Sequence, residues 1–406
     1  MFVSFAVLAV DDAIVVGHYD RLQTDPGLDL AQVIETTFAQ YPQGAVIGAL
    51  RDEARALRQR SESWVAGYPL IFLQWINDAS FKDRGRDEIQ TGYQIPVWMW
   101  GQRAAGKAVA QEAEKDAERF AHAIKHEVAG LVRETLWNLA IAENRHELAR
   151  KVYDVSGQLL QAVRRRVELG DLARSDELLA ESDHLEKKNA LVLAEAEVMH
   201  ARKAYQNLTR MERAPAHFEE TKSPLTDIDE GHPALAASNA QVERAQAEVE
   251  FTRLSKQGTQ PSILIGSQHD RGTRGEGYDN ASNVVVQIPI GGDAWNAPGV
   301  AQANVALNQK IADRATLLRQ LEKALHEAEH NLEVDEATLE IAGRRKEIAE
   351  THLKMSRLAF EAGEVALIDY LKIQANAQAA IRDAEERAIL LKRDTAFYNQ
   401  VVGVTP

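Results

Sequence analysis

The chain has 406 residues, with 47 Lys and Arg against 61 Asp and Glu. The net charge of −14 argues against nucleic acid as the main partner, since a phosphate-binding surface needs clustered positive charge. There is no cysteine, which excludes a disulfide framework and any thiolate metal or redox site, and no apolar window of about 20 residues that would form a transmembrane helix.

Residues 1–27 read as an N-terminal segment. Phe2 to Val10 is an apolar run of signal-peptide length, with Val7-Leu8-Ala9 as a candidate cleavage site, although no basic residue precedes it. A first structural unit follows over 28–215. It opens with a short helix, continues into a β-hairpin over 69–98, and ends in long helices over 103–168 and 171–210. Residues 216–232 are expected to be a linker. A second unit over 233–402 repeats the order: short helix, β-hairpin over 261–290, long helices over 299–361 and 364–400.

The helices follow from the punctuation. No proline falls between Pro96 and Pro215 or between Pro298 and Pro406, and both gaps are rich in Ala, Leu, Glu, Gln, Lys and Arg. Apolar residues step by three and four, as in Leu148, Val152, Val155, Leu159 and in Leu321, Leu325, Ala328, Leu332, which is the seam of a coiled coil. Glycine is sparse in each gap and each has one interior interruption, Val167 to Leu172 around Gly170 and Phe360 to Val365 around Gly363, where glycine supplies the left-handed conformation that ends a helix. Each interruption therefore predicts a tight helical-hairpin turn.

The two hairpin segments read Pro69-Leu-Ile-Phe-Leu-Gln-Trp-Ile and Pro261-Ser-Ile-Leu-Ile-Gly, each followed by a polar loop and a second apolar run. Strands of about ten residues are long enough to cross a bilayer when tilted. Phe72, Trp75, Phe81, Tyr93, Trp98 and Trp100 concentrate the rings of an aromatic-poor chain in the first of these segments, as an interfacial girdle would.

The halves are a duplication. Pro42 and Pro233, Pro69 and Pro261, Pro96 and Pro289, and Gly170 and Gly363 recur in one order at offsets of 191, 192, 193 and 193. The turn repeats in detail as Gly-x5-Asp-x-Leu: Gly170, Asp176, Leu178 and Gly363, Asp369, Leu371. Two hairpins per chain give four strands, too few to close a barrel. Either the hairpins belong to a soluble coiled-coil tether or scaffold, or several chains pool them into 8, 12 or 16 strands.

The duplicated turn, the Gln-Ile-Pro that ends each hairpin (Gln94-Ile95-Pro96 and Gln287-Ile288-Pro289) and the opening Leu28-Asp-Leu-Ala-Gln-Val-Ile resemble the TolC-like outer-membrane efflux factors over nearly the whole chain. The resemblance implies a mainly α fold with a small membrane β part. It implies a homotrimer with a 12-stranded transmembrane barrel in the outer-membrane lipid, continued by a trimeric α-barrel of long antiparallel coiled-coil helices in the periplasm. It also implies a passive efflux conduit, docked on a periplasmic adaptor and a proton-driven inner-membrane pump.

Carried over residue by residue, Arg166, Gly170, Leu178, Phe360, Gly363 and Leu371 fall at the tip turns and adaptor-docking region. Asp176, Asp369 and Lys372 fall at the periplasmic gate, and Phe72, Trp75, Tyr93 and Trp98 in the membrane aromatic belt. Rings of carboxylates at a constriction favour cations. The same aspartates also suit the first turn of the helix that follows, where negative charge meets the helix dipole. Lys372 stands where some members carry a second aspartate, and Val365 where an arginine is found. A looser tip, with Lys372 paired to a neighbouring acid, is therefore expected. The first tip, Gly170-Asp-Leu-Ala-Arg-Ser-Asp-Glu-Leu-Leu-Ala, looks most like the branch that partners heavy-metal cation pumps.

No catalytic, cofactor or metal site is expected. His326-Glu327-Ala328-Glu329-His330 matches H-E-x-x-H, but it lies in a coiled-coil stretch without the cleft and third ligand a zinc protease needs. His122 and His126 form a second pair one helical turn apart, suited at most to weak metal binding. Phosphate-binding and dinucleotide loops are missing, so transport energy must come from a partner.

Overall fold

The computed structural model describes residues 21–406; the apolar run Phe2 to Val10 lies outside them. In order, the elements are β1 (Gln23–Asp25), α1 (Leu30–Gln40), α2 (Gly44–Glu62), β2 (Leu70–Asn77), β3 (Asp87–Pro96), α3 (Gln102–Glu168), α4 (Arg174–Thr209), β4 (Arg213–Pro215), α5 (Pro233–Ser255), β5 (Ser262–Arg271), β6 (Asp279–Gln287), α6 (Asp293–Glu361) and α7 (Leu367–Val401). The two-fold repeat is plain in this list. Its departures are the short β1 and β4, and a first half that opens with two helices, separated at Tyr41-Pro42, where the second has one.

Contacts divide the described residues into two units: 21–41, 125–229 and 321–406, and 42–124 and 230–320. Helices α3 and α6 contribute a stretch to each.

In the first unit, α3, α4, α6 and α7 meet around the glycine turns. Gly170 (φ 83°) and Gly363 (φ 79°) both adopt the left-handed conformation. Asp171 N donates to Arg166 O (2.8 Å) and Gly170 N to Val167 O (3.0 Å). Glu364 N donates to Ala359 O (2.9 Å) and Gly363 N to Phe360 O (3.1 Å) in the same pattern. Each turn thus satisfies the last carbonyls of its helix in the same way. Behind the turns, Leu160, Val163, Ala180, Phe360, Leu367 and Tyr370 form one apolar cluster.

The expected linker is a strap rather than a free tether. The parallel pairing of β1 with β4 anchors its start. Beyond it, Glu220 meets the buried Arg133 of α3 through two hydrogen bonds of 2.7 Å. Asn399 of α7 accepts from Ser223 N (2.7 Å) and donates to Thr221 O (2.9 Å), and Tyr398 donates to Leu225 O (2.7 Å). The Phe218 ring meets Trp137 edge-on at 4.8 Å.

One contact between α6 and α7 responds to pH. The Asp335 carboxyl is pushed up to about 6, by burial first and then by its hydrogen bond and repulsion with Asp394. The folded chain therefore holds a proton that the unfolded chain releases, and the resulting destabilisation is present above pH 6 and relieved as pH falls through it. Asp335→Asn is expected to raise the unfolding temperature at pH 7.5 and flatten its pH dependence between about 4 and 6. An unchanged profile by calorimetry would refute this.

In the second unit, the two hairpins join in one antiparallel sheet of order β2-β3-β5-β6, so that the β3–β5 pairing unites the halves. The sheet is open, with β2 and β6 at its edges. Helix α6 begins at Asp293, before the expected 299, and carries Pro298 as its sixth residue, where the missing N–H leaves the Ala294 carbonyl without its intrahelical donor.

Candidate functional site: a two-faced sheet and a double helical turn

The register sorts the side chains of the sheet. Trp75 is opposite Ile89 and His269 opposite that; Ile71, Tyr93, Ile265 and Val284 form a second row across all four strands. Since successive side chains point to opposite sides, these rows share one face with Leu73 and Val286. That face is mainly apolar and exposed (Ile71 86%, Trp75 67%, Val284 67%), with a polar row of Thr91, Ser267 and Ser282 across it and His269 and Asn280 towards the loop end.

The other face is polar and internally hydrogen-bonded. Gln90 Nε2 donates to Glu88 Oε1 at 2.6 Å, and Gln268 Nε2 reaches the same oxygen at 3.2 Å. Gln94 Nε2 donates to Ser262 Oγ at 2.8 Å. The expected alternation is blurred in β2 because Leu70 and Phe72 fall on this second face, so Phe72 does not share the face of Trp75 and Tyr93.

Aromatic rings mark both ends of the sheet. Where the strands meet the helices, Trp64, Tyr68, Trp100 and Trp295 are all at least 70% exposed. Trp98, expected in the belt, is half-buried and its Nε1 donates to Ser63 O at 3.0 Å. At the loop end, Trp75 Nε1 donates to Asp87 Oδ1 at 2.6 Å, Tyr278 also donates to Asp87, and Phe81 is fully exposed at the loop tip. Sequence reasoning missed Trp64, Tyr68, Tyr278 and Trp295. They lie between one residue (Tyr278) and eight residues (Trp295) from a strand end.

The loop end is pinned. Asp78 accepts backbone hydrogen bonds from Arg84 (3.0 Å), Gly85 (3.1 Å) and Arg86 (3.0 Å), and Arg274 pairs with Asp83 across the two loops. Gly85, at φ 88°, leaves the space that Arg274 fills.

At the turns, the two aspartates expected at a gate differ. Asp176 Oδ2 accepts from Ala173 N at 3.2 Å, so it caps the first turn of α4. Asp369 pairs with Lys372 at 3.3 Å, both more than half exposed. This is the neighbouring-acid pairing expected of Lys372. The buried acid is Glu177, which meets Arg164 at 3.3 Å and also pairs with Arg174; no sequence pattern singled it out.

Arg166 reaches across to the second turn. Its Nη1 donates to Phe360 O at 3.1 Å, and its guanidinium lies 5.3 Å from the Phe360 ring centre. Phe360 is buried and stacks on Tyr370 at 5.1 Å. Leu371 packs partly buried against the same cluster, whereas Leu178 is exposed.

The histidine pairs have ordinary surroundings. His326 and His330 are exposed and Glu327 pairs with Lys323 at 3.4 Å. His122 lies 4.0 Å from Glu118, while His126 is buried with Nδ1 3.0 Å from Thr405 Oγ1. Among the described residues no cluster of metal-ligating side chains is found, and no helix is long and apolar enough to cross a membrane.

No protein-family model matches the chain. Among solved structures it is similar to the CmeC outer membrane channel of Campylobacter jejuni (TM-score 0.72, 13% identity, 92% of this chain and 85% of that one). It is equally similar to VceC, an outer membrane protein of Vibrio cholerae (TM-score 0.71, 14% identity, 93% and 97%). The chain thus has the fold of these outer membrane channels. Its sequence has a more particular likeness. It is 27% identical over 308 residues, 71% of each chain, to the cobalt-zinc-cadmium resistance protein CzcC of Cupriavidus metallidurans.

Proposed function

We propose that three copies of the chain form the outer-membrane conduit of a tripartite efflux system for metal cations. The observation that carries this reading is the open four-stranded sheet with one exposed apolar face. In hydrocarbon, each unpaired edge group costs several kcal/mol. Joining β6 of one copy to β2 of the next removes every edge, and three copies give 12 strands. With 8 to 10 residues each, the strands match the span of a bilayer.

The helices support the same count. Val334, Ile341, Ile348 and Met355 recur every seven residues on α6 and are all at least 43% exposed, as are Leu178, Leu185 and Leu193 on α4. Such stripes are seams awaiting a second helix, and a neighbouring copy supplies it. Docking of a periplasmic adaptor at the turns, and an inner-membrane pump as energy source, complete the proposal. The likeness to a cobalt-zinc-cadmium resistance protein points to divalent metal cations as cargo.

Membrane fractionation and detergent extraction followed by mass measurement are expected to yield a trimer that conducts in planar bilayers. A monomer or dimer soluble without detergent would favour the scaffold instead. Asp369→Asn is expected to lower the cation preference of the channel about two- to fivefold by removing one ring of charge, with Asp176→Asn smaller because that carboxylate is held by its cap. Unchanged selectivity and blocking in both variants would remove the gate assignment.

A further inference from the structure

A groove of about 710 Å³ opens at the helix end of the sheet, lined by Trp100, Leu254, Lys256, Asp293, Asn296 and Val300 among others. Asn296 is only 6% exposed. Its Nδ2 donates to the carbonyls of Arg253 (3.0 Å) and Thr252 (3.5 Å), which fixes the amide and leaves Oδ1 as a buried acceptor with no partner. Buried polar atoms are almost always paired, so an unpaired one lining a groove marks a missing donor.

The rest of the groove describes that donor. Lys256 sits at φ 41° at the end of α5, and its ammonium has a 3.4 Å contact to Gly291 O, which leaves N–H groups for an anion. Asp293 adds a carboxylate at the start of α6. The Trp100 ring, 97% exposed, stands at the level where the apolar face of the sheet ends, with Leu254 and Val300 as an apolar wall. An anion site, a cation site and an apolar wall beside an interfacial tryptophan match one kind of ligand.

We propose that this groove binds the headgroup of an amine-bearing zwitterionic glycerophospholipid, its phosphate on Lys256 and its ammonium on Asn296 Oδ1 and Asp293. The assignment rests on the membrane-spanning reading of the sheet. A choline headgroup has no N–H to give Asn296, and an anionic headgroup without an amine meets Asp293 unfavourably.

The test is native mass spectrometry of the delipidated oligomer in mild detergent, with added phosphatidylethanolamine, phosphatidylcholine or phosphatidylglycerol. Phosphatidylethanolamine is expected to be retained about fivefold over either competitor, and Lys256→Asn or Asp293→Asn to lose that preference. Asparagine at 256 tolerates the left-handed backbone, so Lys256→Asn removes the charge without straining the turn. Displacement by soluble phosphoethanolamine at equal concentration would assign the groove to a free headgroup compound and overturn the lipid. Equal retention of the three lipids, or retention unchanged in both variants, would overturn the site alone. Trp100→Ala that dissociates the oligomer while leaving lipid retention intact would assign the groove to a second copy. A chain soluble without detergent overturns the membrane reading and the site with it.

Discussion

Arg133→Ala is expected to destabilise the helical unit by roughly 3–5 kcal/mol, the cost of stranding one member of a buried ion pair. The guanidinium side chain is 1% exposed and its partner Glu220 is 13% exposed. Two parallel hydrogen bonds of 2.7 Å join them, and Nη1 also donates to Val404 O at 3.1 Å. Alanine leaves the Glu220 carboxylate facing the backbone of the strap without a counter-ion. An exposed pair such as Arg344 with Glu347, 72% and 67% exposed, is expected to contribute less than about 1 kcal/mol and serves as the control. Arg133→Met combined with Glu220→Leu should recover most of the loss, because an apolar pair of similar volume is not penalised for lost hydration. Denaturant titration of the detergent-solubilised protein reads all three. A loss under 1 kcal/mol for Arg133→Ala would show that the strap contributes little.

Ile265→Lys is expected to block membrane insertion, while Gln268→Lys, three residues along the same strand, is expected to leave it intact. Ile265 pairs with Tyr93 on one side and Val284 on the other, in the middle of the apolar row. A lysine at the midplane of the lipid face of a barrel costs about 2–4 kcal/mol, once per copy. Gln268 lies on the polar face beside Glu88, where an ammonium gains a carboxylate partner. Heat-modifiable migration and protease protection in outer-membrane fractions distinguish the two. Equal behaviour of the two variants would reverse the assignment of the faces.

The repeat, the long helices and the glycine turns were legible because each leaves a periodic or positional mark. A missing proline over a hundred residues, a step of three and four, and a left-handed glycine each have one structural meaning. The strap was legible only as a linker, since its order comes from single hydrogen bonds to Arg133, Tyr398 and Asn399, which carry no pattern along the chain. Arg133 reads as one more polar residue of a helix until the structure shows its burial. Within the site, Asp176 and Asp369 stand out by the repeat of the turn, but the pairing of Asp369 follows from Lys372, which stands where the first half has Leu179. The four exposed rings at the helix end come from three separate segments, before β2, after β3 and after β6, so no single window of sequence gathers them.

The pairing of β3 with β5 sets an order on assembly. Thr91 and Ser267, hydrogen-bonded across that seam at 3.1 Å, are 176 residues apart in sequence. The first hairpin alone is a two-stranded ribbon with little stability in water, and it cannot find its neighbour until the helices between them have been made. Its exposed face must therefore wait until β5, which ends at Arg271, has been made. The four-stranded sheet therefore forms all at once or not at all, and the interval before that is when the chain is most prone to aggregate.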